Sequence, residues 1–300
     1  MKNKLRGSIF IATAVIIWGS AFIPQSVSMD LIDPFTFLFF RNSLAVAFLI
    51  LLATVSDIGK CIMSESAAKW RDPRLWKAGF ICGLGLCMGT TLQQMGLVYS
   101  DAGKAGFITA MYIVLVPVLG LFLKRKPTKG AVAGIILAVI GLYLLSCVGV
   151  TQVNKGDLLL MGCALGFAIQ ILCVDLWGEG IDGFRLNCVQ AFVVVVFSLV
   201  MMLTTETVVM ADVKAAFGSI AYAGILSSGI AFSLQIIGQK DLDPTAASII
   251  MSMESVVAVI CGAIILKETM TVWEISGCCL MFIAVTLAQL PEKKNLKNHC

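Results

Sequence analysis

Residues 100–145 read SDAGKAGFITAMYIVLVPVLGLFLKRKPTKGAVAGIILAVIGLYLL, and residues 243–290 read DPTAASIIMSMESVVAVICGAIILKETMTVWEISGCCLMFIAVTLAQL. Each has a small-residue entry, an apolar run, a compact charged turn and a second apolar run. Asp101 falls on Asp243, Ala105 on Ala247, Met111 on Met253, Tyr112 on Glu254 and Gly120 on Gly262. After one residue of slippage, Leu123-Lys124 falls on Leu266-Lys267, Thr128 on Thr271 and Gly134 on Gly277. Upstream, Leu92-Gln93 and Gly96 match Leu234-Gln235 and Gly238. A repeat of this kind in so apolar a chain is the mark of a transporter assembled from two halves.

Working outward, the whole chain is 59% hydrophobic and 13% charged. A soluble globular domain carries about 25% charged residues. The apolar residues gather into ten runs, at roughly 9–22, 35–54, 78–98, 105–123, 131–150, 158–176, 184–203, 215–238, 245–266 and 272–290. A run of ~20 residues at ~1.5 Å rise spans a hydrocarbon core ~30 Å thick. The first run follows Lys2, Lys4 and Arg6, but no small-residue cleavage site ends it, so it reads as a retained helix rather than a signal peptide. The expected architecture is an all-α polytopic membrane protein of ten transmembrane helices, five in residues 1–150 and five in 151–300, the second half with a short polar tail.

Basic residues set the orientation. With the N-terminus inside, seventeen of the 22 Lys and Arg residues fall on the cytoplasmic side, among them those of the 56–76 loop and of the Lys124–Lys129 turn. Lys104, Lys155, Lys214 and Lys267 fall outside, and Arg41 lies within a run. Both termini are therefore expected in the cytoplasm, with the chain in the cell membrane. Five helices per half is an odd number, so the second half enters the membrane inverted, a five-plus-five inverted repeat. Trp70, Trp76, Trp177 and Trp273 flank runs, as interfacial indoles do, whereas Trp18 lies deep in the first.

Both copies of the repeat resemble the closing helix pair of the EamA repeat of the drug/metabolite transporter superfamily. Ser100-Asp101-Ala102-Gly103-Lys104-Ala105-Gly106-Phe107-Ile108-Thr109 follows the family's first copy, and Met253-Glu254-Ser255-Val256 stands where Glu-Pro-Val is common in the second. Trp18-Gly19-Ser20 and Phe40-Arg41-Asn42 sit where the family's opening helices carry them. Two departures stand out: Ser255 replaces the usual Pro, and Arg125-Lys126 replaces the usual acidic residue of the first charged turn. The resemblance implies peripheral fifth and tenth helices, and a cavity lined by helices 1, 3, 4, 6, 8 and 9.

Glu254 is the sharpest chemical signal. It lies about ten residues, ~15 Å, into the ninth run, near the midplane. A carboxylate there costs ~2.5–3.5 kcal/mol unless it is neutral, paired or facing water, and intramembrane acids mark transport paths by default. The structural alternative is a Glu that clamps two helices by hydrogen bonding. Arg41 lies ~10 Å inside the second run. It either snorkels outward or pairs with a substrate carboxylate or with Glu254, and its repeat mate is the uncharged Gln190. Gln93 and Gln235, related by the repeat, are candidates for a shared cavity lining, against plain interhelical hydrogen bonding worth ~0.6 kcal/mol. Gln25 and Gln170 lie nearer helix ends. Tyr112, the mate of Glu254, would place a phenol opposite the carboxylate and suit a substrate amine or hydroxyl. Trp18 and Met111 are candidate apolar walls, against a core role, the commoner one for each alone. Asp175 and Glu179 close the sixth run and read as solvated.

The expected function is that of a secondary transporter, a permease exporting small organic metabolites such as amino acids or related compounds by alternating access. Proton coupling through Glu254 and plain facilitated exchange are both open, and so is the direction. No GxxxxGK[ST] loop occurs, so ATP does not drive the process from this chain. An intramembrane enzyme is the alternative. A serine protease of that kind needs a membrane-embedded His, but the single histidine is His299 in the tail. An aspartyl protease needs two embedded Asp residues, whereas Asp101, Asp157 and Asp243 lie at run edges. A channel would show a carbonyl filter loop or charged ring. The eleven cysteines lie mostly in or beside apolar runs, without metal-site spacing. The expected partners are the lipid bilayer, a small-molecule substrate and protons, with no cofactor, metal or nucleic acid.

Overall fold

The computed structural model describes residues 2–62, 70–100, 102–125, 127–146, 154–265 and 271–289. The expectations for Lys69, Lys126, Lys267, Cys147 and the tail after Pro291 concern residues outside this set. Within it the chain is helical with no strand. Eight helical segments are long and apolar enough to cross a membrane: 3–28, 34–58, 73–97, 102–122, 155–177, 183–205, 217–239 and 244–261. Two shorter apolar helices, Lys129–Leu145 and Val272–Ala288, accompany them.

The elements are α1 (Lys2–Ser28), α2 (Pro34–Ile62), α3 (Pro73–Leu97), α4 (Ala102–Thr109), α5 (Tyr112–Phe122), α6 (Lys129–Ser146), α7 (Lys155–Trp177) and α8 (Gly183–Thr205). Then come α9 (Met210–Ala215), α10 (Phe217–Ala221), a π-helical stretch (Tyr222–Ala231), α11 (Phe232–Gln239), α12 (Pro244–Met251), α13 (Glu254–Ile265) and α14 (Val272–Gln289). Several helix starts carry side-chain caps. Asp72 and Asp243 each cap a helix whose first residue is Pro, and Asn154 with Asp157 forms a reciprocal capping box.

The outside of the bundle is as apolar as its interior, as a lipid-facing surface must be: Phe122, Leu203, Ile264 and Val272 are all largely exposed. Polar side chains are instead inside. Glycines set the tightest helix pair, α3 on α7. A Cβ at Gly166 would lie 2.5 Å from the Gly89 backbone N, and one at Gly85 would lie 2.9 Å from that of Gln170. Small residues at four-residue spacing thus bring two backbones into contact, the standard device for helix association without a hydrophobic drive.

Two spans are discontinuous. α4 gives way to α5 at Ala110-Met111, and α12 to α13 at Ser252-Met253. At each break backbone bonds tighten to the third residue back, among them Met111 N–H to Ile108 C=O at 3.1 Å and Met253 N–H to Ile250 C=O at 3.1 Å. The repeated stretches equate these two positions. Span 217–239 departs differently, by the ten-residue π-helical stretch beside α1 and α2, a feature often found at functional sites. Its period carries no sequence signature that distinguishes it from α-helix.

Candidate functional site

The helix breaks aim side chains into one cavity that is partly open to the exterior. Its wall includes Trp18, Gln25, Arg41, Gln93, Tyr112, Gln170, Gln235 and Glu254, with Phe22, Phe167, Phe232 and Met251 as apolar faces. The structure thus brings together all the sequence-derived candidates but Met111. That residue sits at the α4–α5 break and packs on the hydrophobic core instead. The wall draws on helices 1, 3, 4, 6, 8 and 9 of the sequence numbering and also on the second, through Arg41.

Glu254 is the first residue of α13 and Tyr112 the first of α5. Tyr112 O–H donates to Glu254 Oε1 at 3.0 Å, both residues buried. A second contact ties the same two broken spans, from Ser255 Oγ–H to the Gly106 carbonyl at 3.0 Å. A Pro at 255 would lack that hydroxyl, so the departure from the family pattern supplies a bond of its own. Among the described residues no Lys or Arg lies within ion-pair distance of Glu254.

Arg41 is 2% exposed. Its Nη1 donates to Gln25 Oε1 at 2.5 Å and its Nε to Ser228 Oγ at 3.0 Å, and its guanidinium carbon lies 5.8 Å from the Phe37 ring centroid. It therefore does not snorkel outward. No Asp or Glu among the described residues reaches it. Ser228 belongs to the π-helical stretch, and Tyr222 at the start of that stretch shares a 2.7 Å hydrogen bond with Ser20 of α1.

A chain of amides runs behind the cavity. Gln235 Nε2 donates to Gln170 Oε1 at 3.0 Å and to Gln239 Oε1 at 3.1 Å, and Gln170 Nε2 donates to Gln190 Oε1 at 3.1 Å. Two cavity-wall atoms are buried without a partner among the described residues, the Trp18 indole Nε1 and Gln235 Oε1. A buried donor or acceptor left unmet costs ~1–3 kcal/mol, so a polar solute that satisfies both gains affinity. Above them the aromatic faces gather, with Trp18 and Phe232 ring centroids 4.9 Å apart and Phe167 and Phe232 6.4 Å apart.

Reading the sequence alone undervalued Gln25 and Gln170, whose positions near helix ends suggested simple interhelical bonding. The signal that finds them is a partner, Arg41 for one and Gln235 for the other. Phe167, Phe232 and Ser227 carried no signal distinct from core packing. Asp175, expected to be solvated, instead pairs with Arg125 across the α5–α7 boundary. Among the described residues no group of three or more His, Cys, Asp or Glu is placed to hold a metal ion.

The EamA-like transporter family model matches this chain twice, over residues 5–147 and 154–289. An uncharacterized transporter of Archaeoglobus fulgidus is 28% identical over 296 residues, covering 96% of this chain and 87% of that protein. The Bacillus subtilis uncharacterized transporter YoaV is 23% identical over 283 residues, covering 91% and 94% of the two chains. A crystal structure at 16% identity superposes with a TM-score of 0.78, covering 94% of this chain and 96% of that one, which shows a shared fold. With two family matches that together span most of its length, and apolar helices enough for a multi-pass protein, the chain belongs to the EamA-like transporter family of the drug/metabolite transporter superfamily and is a membrane transporter.

Proposed function

We propose that the chain exports small organic metabolites, such as amino acids or related compounds, through this cavity by alternating access, with proton movement coupled through Glu254. In this reading residues 1–150 and 151–300 form two five-helix halves in inverted orientation, ten spans in all, with both termini cytoplasmic. The observation that carries it is the Tyr112–Glu254 pair: a buried carboxylate without a basic partner among the described residues, held by a single phenol at the break of a span, on the wall of the cavity.

The helix packing supports two exchangeable halves. α3 packs on α7 as α1 packs on α10, the π-helical stretch and α11; α4 and α5 lie on α7 as α12 and α13 lie on α1; α6 pairs with α14 and α2 with α8. The ion pairs support a gated cavity. At the cytoplasmic end of this topology, Arg6–Asp241, Asp57–Arg185 and Arg125–Asp175 each link the first half to the second. At the other end, Lys104 bonds Asp157 at 2.7 Å, and Glu206 accepts the Phe35 and Thr36 backbone N–H groups. Opening either mouth breaks the set at that end and keeps the other. Only Arg6 of these groups is mostly exposed, and a pair of that kind is worth ~0–1 kcal/mol; the Asp57–Arg185 and Lys104–Asp157 pairs are largely buried, so cargo binding must drive their exchange.

The test compares labelled-metabolite pools of cells with and without the protein, inside and in the medium. The proposal expects at least one metabolite to leave faster when the wild-type protein is present, and Glu254→Gln at equal membrane abundance to lose export against that metabolite's concentration gradient. Identical pools in all three strains, or faster entry in place of export, contradict it. External thiol labelling of a cysteine placed at Lys126 would overturn the orientation.

A further inference from the structure

The cavity contains a permanent positive charge that the protein itself leaves unmatched. A guanidinium stays protonated at any physiological pH. Arg41 is buried, and its two protein partners, Gln25 and Ser228, are neutral. Of its five N–H groups two are engaged; the other three have no protein acceptor among the described residues. The other fully buried arginine, Arg185, is treated differently, with Asp57 at 2.5 Å and Asp182 at 3.3 Å. The one acid on the cavity wall, Glu254, is occupied by Tyr112 and lies outside ion-pair distance of Arg41. An uncompensated buried charge is strongly unfavourable, so the missing anion must come from what the cavity binds.

The surroundings restrict that anion. A planar guanidinium fork matches a carboxylate in a bidentate pair. A phosphate dianion would bring a second charge, and no other Lys or Arg lines the cavity. The apolar part of the same wall is mainly aromatic, formed by Phe22, Trp18, Phe167 and Phe232. From these features we infer that the cargo is a small organic monocarboxylate with an apolar or aromatic body, its carboxylate paired with Arg41. The Trp18 N–H and Gln235 Oε1 are left to meet a polar group on the body. This inference rests on the cavity being the transport site, and it adds the chemical class.

The test measures thermal unfolding of the full chain in lipid nanodiscs against two isosteric pairs: L-phenylalanine with L-phenylalaninamide, and 3-phenylpropanoate with 3-phenylpropanamide. At least one acid should raise the unfolding temperature in a saturable way while its amide does not. If only L-phenylalanine acts, the cargo is an amino acid; if only 3-phenylpropanoate acts, it is a simple acid; either supports the assignment. Arg41→Gln should abolish the acid-dependent rise and, without ligand, unfold at a temperature no lower than wild type. Arg41→Lys keeps the charge but loses the fork, and should need roughly tenfold more acid for the same rise; it decides the matter if Arg41→Gln does not fold. Amides that stabilise as well as acids, an undiminished response in both variants, or no response to any of the four compounds would overturn the assignment. Because the readout is binding without a gradient, it fails separately from the export reading: unchanged transport by Glu254→Gln leaves acid selectivity at Arg41 standing, and loss of that selectivity leaves the Glu254 comparison intact.

Discussion

Arg41 and Arg185 are the two largest fully buried side chains among the described residues, each 2% exposed, yet their surroundings are opposite. Arg185, in the first turn of α8, has carboxylates of Asp57 and Asp182 and lies 5.3 Å from the Trp70 ring centroid. Its pairing closes one end of the bundle and joins α2 to α8. Arg41, two turns into α2, has an amide, a hydroxyl and a cavity. A charge that only holds helices together is neutralised by the protein. A charge left to neutral partners at a cavity is arranged for something that arrives later. Stability and binding therefore pull in opposite directions at the two sites.

The largest expected effect on stability is at Arg185. Arg185→Gln leaves Asp57 without its partner; a fully buried broken pair costs ~3–5 kcal/mol, and because Asp57 is 28% exposed, solvent screening reduces this to roughly 1–3 kcal/mol. Chemical denaturation in detergent micelles reads it as a lower midpoint, and an unchanged midpoint would break the comparison. Arg41→Met should move the cargo-free protein the other way, by ~1 kcal/mol towards greater stability, since it removes an unmatched buried charge but strands Gln25 and Ser228. A loss as large as that at Arg185 would make Arg41 a structural residue. Asp57→Asn is next, at roughly 0.5–1 kcal/mol, because Asp182 still serves Arg185. The smallest effect is at Arg6, whose pair with Asp241 is 59% exposed on the arginine side: Arg6→Gln should shift the denaturation midpoint least of all these variants, and the shift should vanish in high salt.

Much of the helical layout was legible because lipid imposes a simple rule, long apolar runs interrupted by charge. The internal repeat went further. It equated Met111 with Met253 and Tyr112 with Glu254, and the structure breaks both spans at those residues and joins the latter two by a hydrogen bond. Gln93 and Gln235 also meet the cavity. What was illegible depended on partners from distant sequence. Whether Arg41 snorkels or stays inside depends on Gln25 and Ser228, the second brought by a π-helical stretch whose composition matches that of an α-helix. Met111 shares its repeat position with Met253, and its side chain packs on the core, the role its sequence also offered. Helix periodicity over an apolar run does not separate a cavity wall from a core, because both are apolar.

The central claim is that Glu254 carries the coupling within one transport cavity. The most direct measurement loads proteoliposomes of the purified chain with an isotope-labelled cell extract, imposes a pH gradient, and follows each labelled compound across the membrane by mass spectrometry. The wild-type protein should drive at least one compound against its own gradient, with a pH-dependent rate. Glu254→Gln keeps the shape of the side chain but fixes it as neutral; it should lose that accumulation while still equilibrating the same compound. Glu254→Gln that accumulates the same compounds at the same rate, with the same pH dependence, would contradict the account.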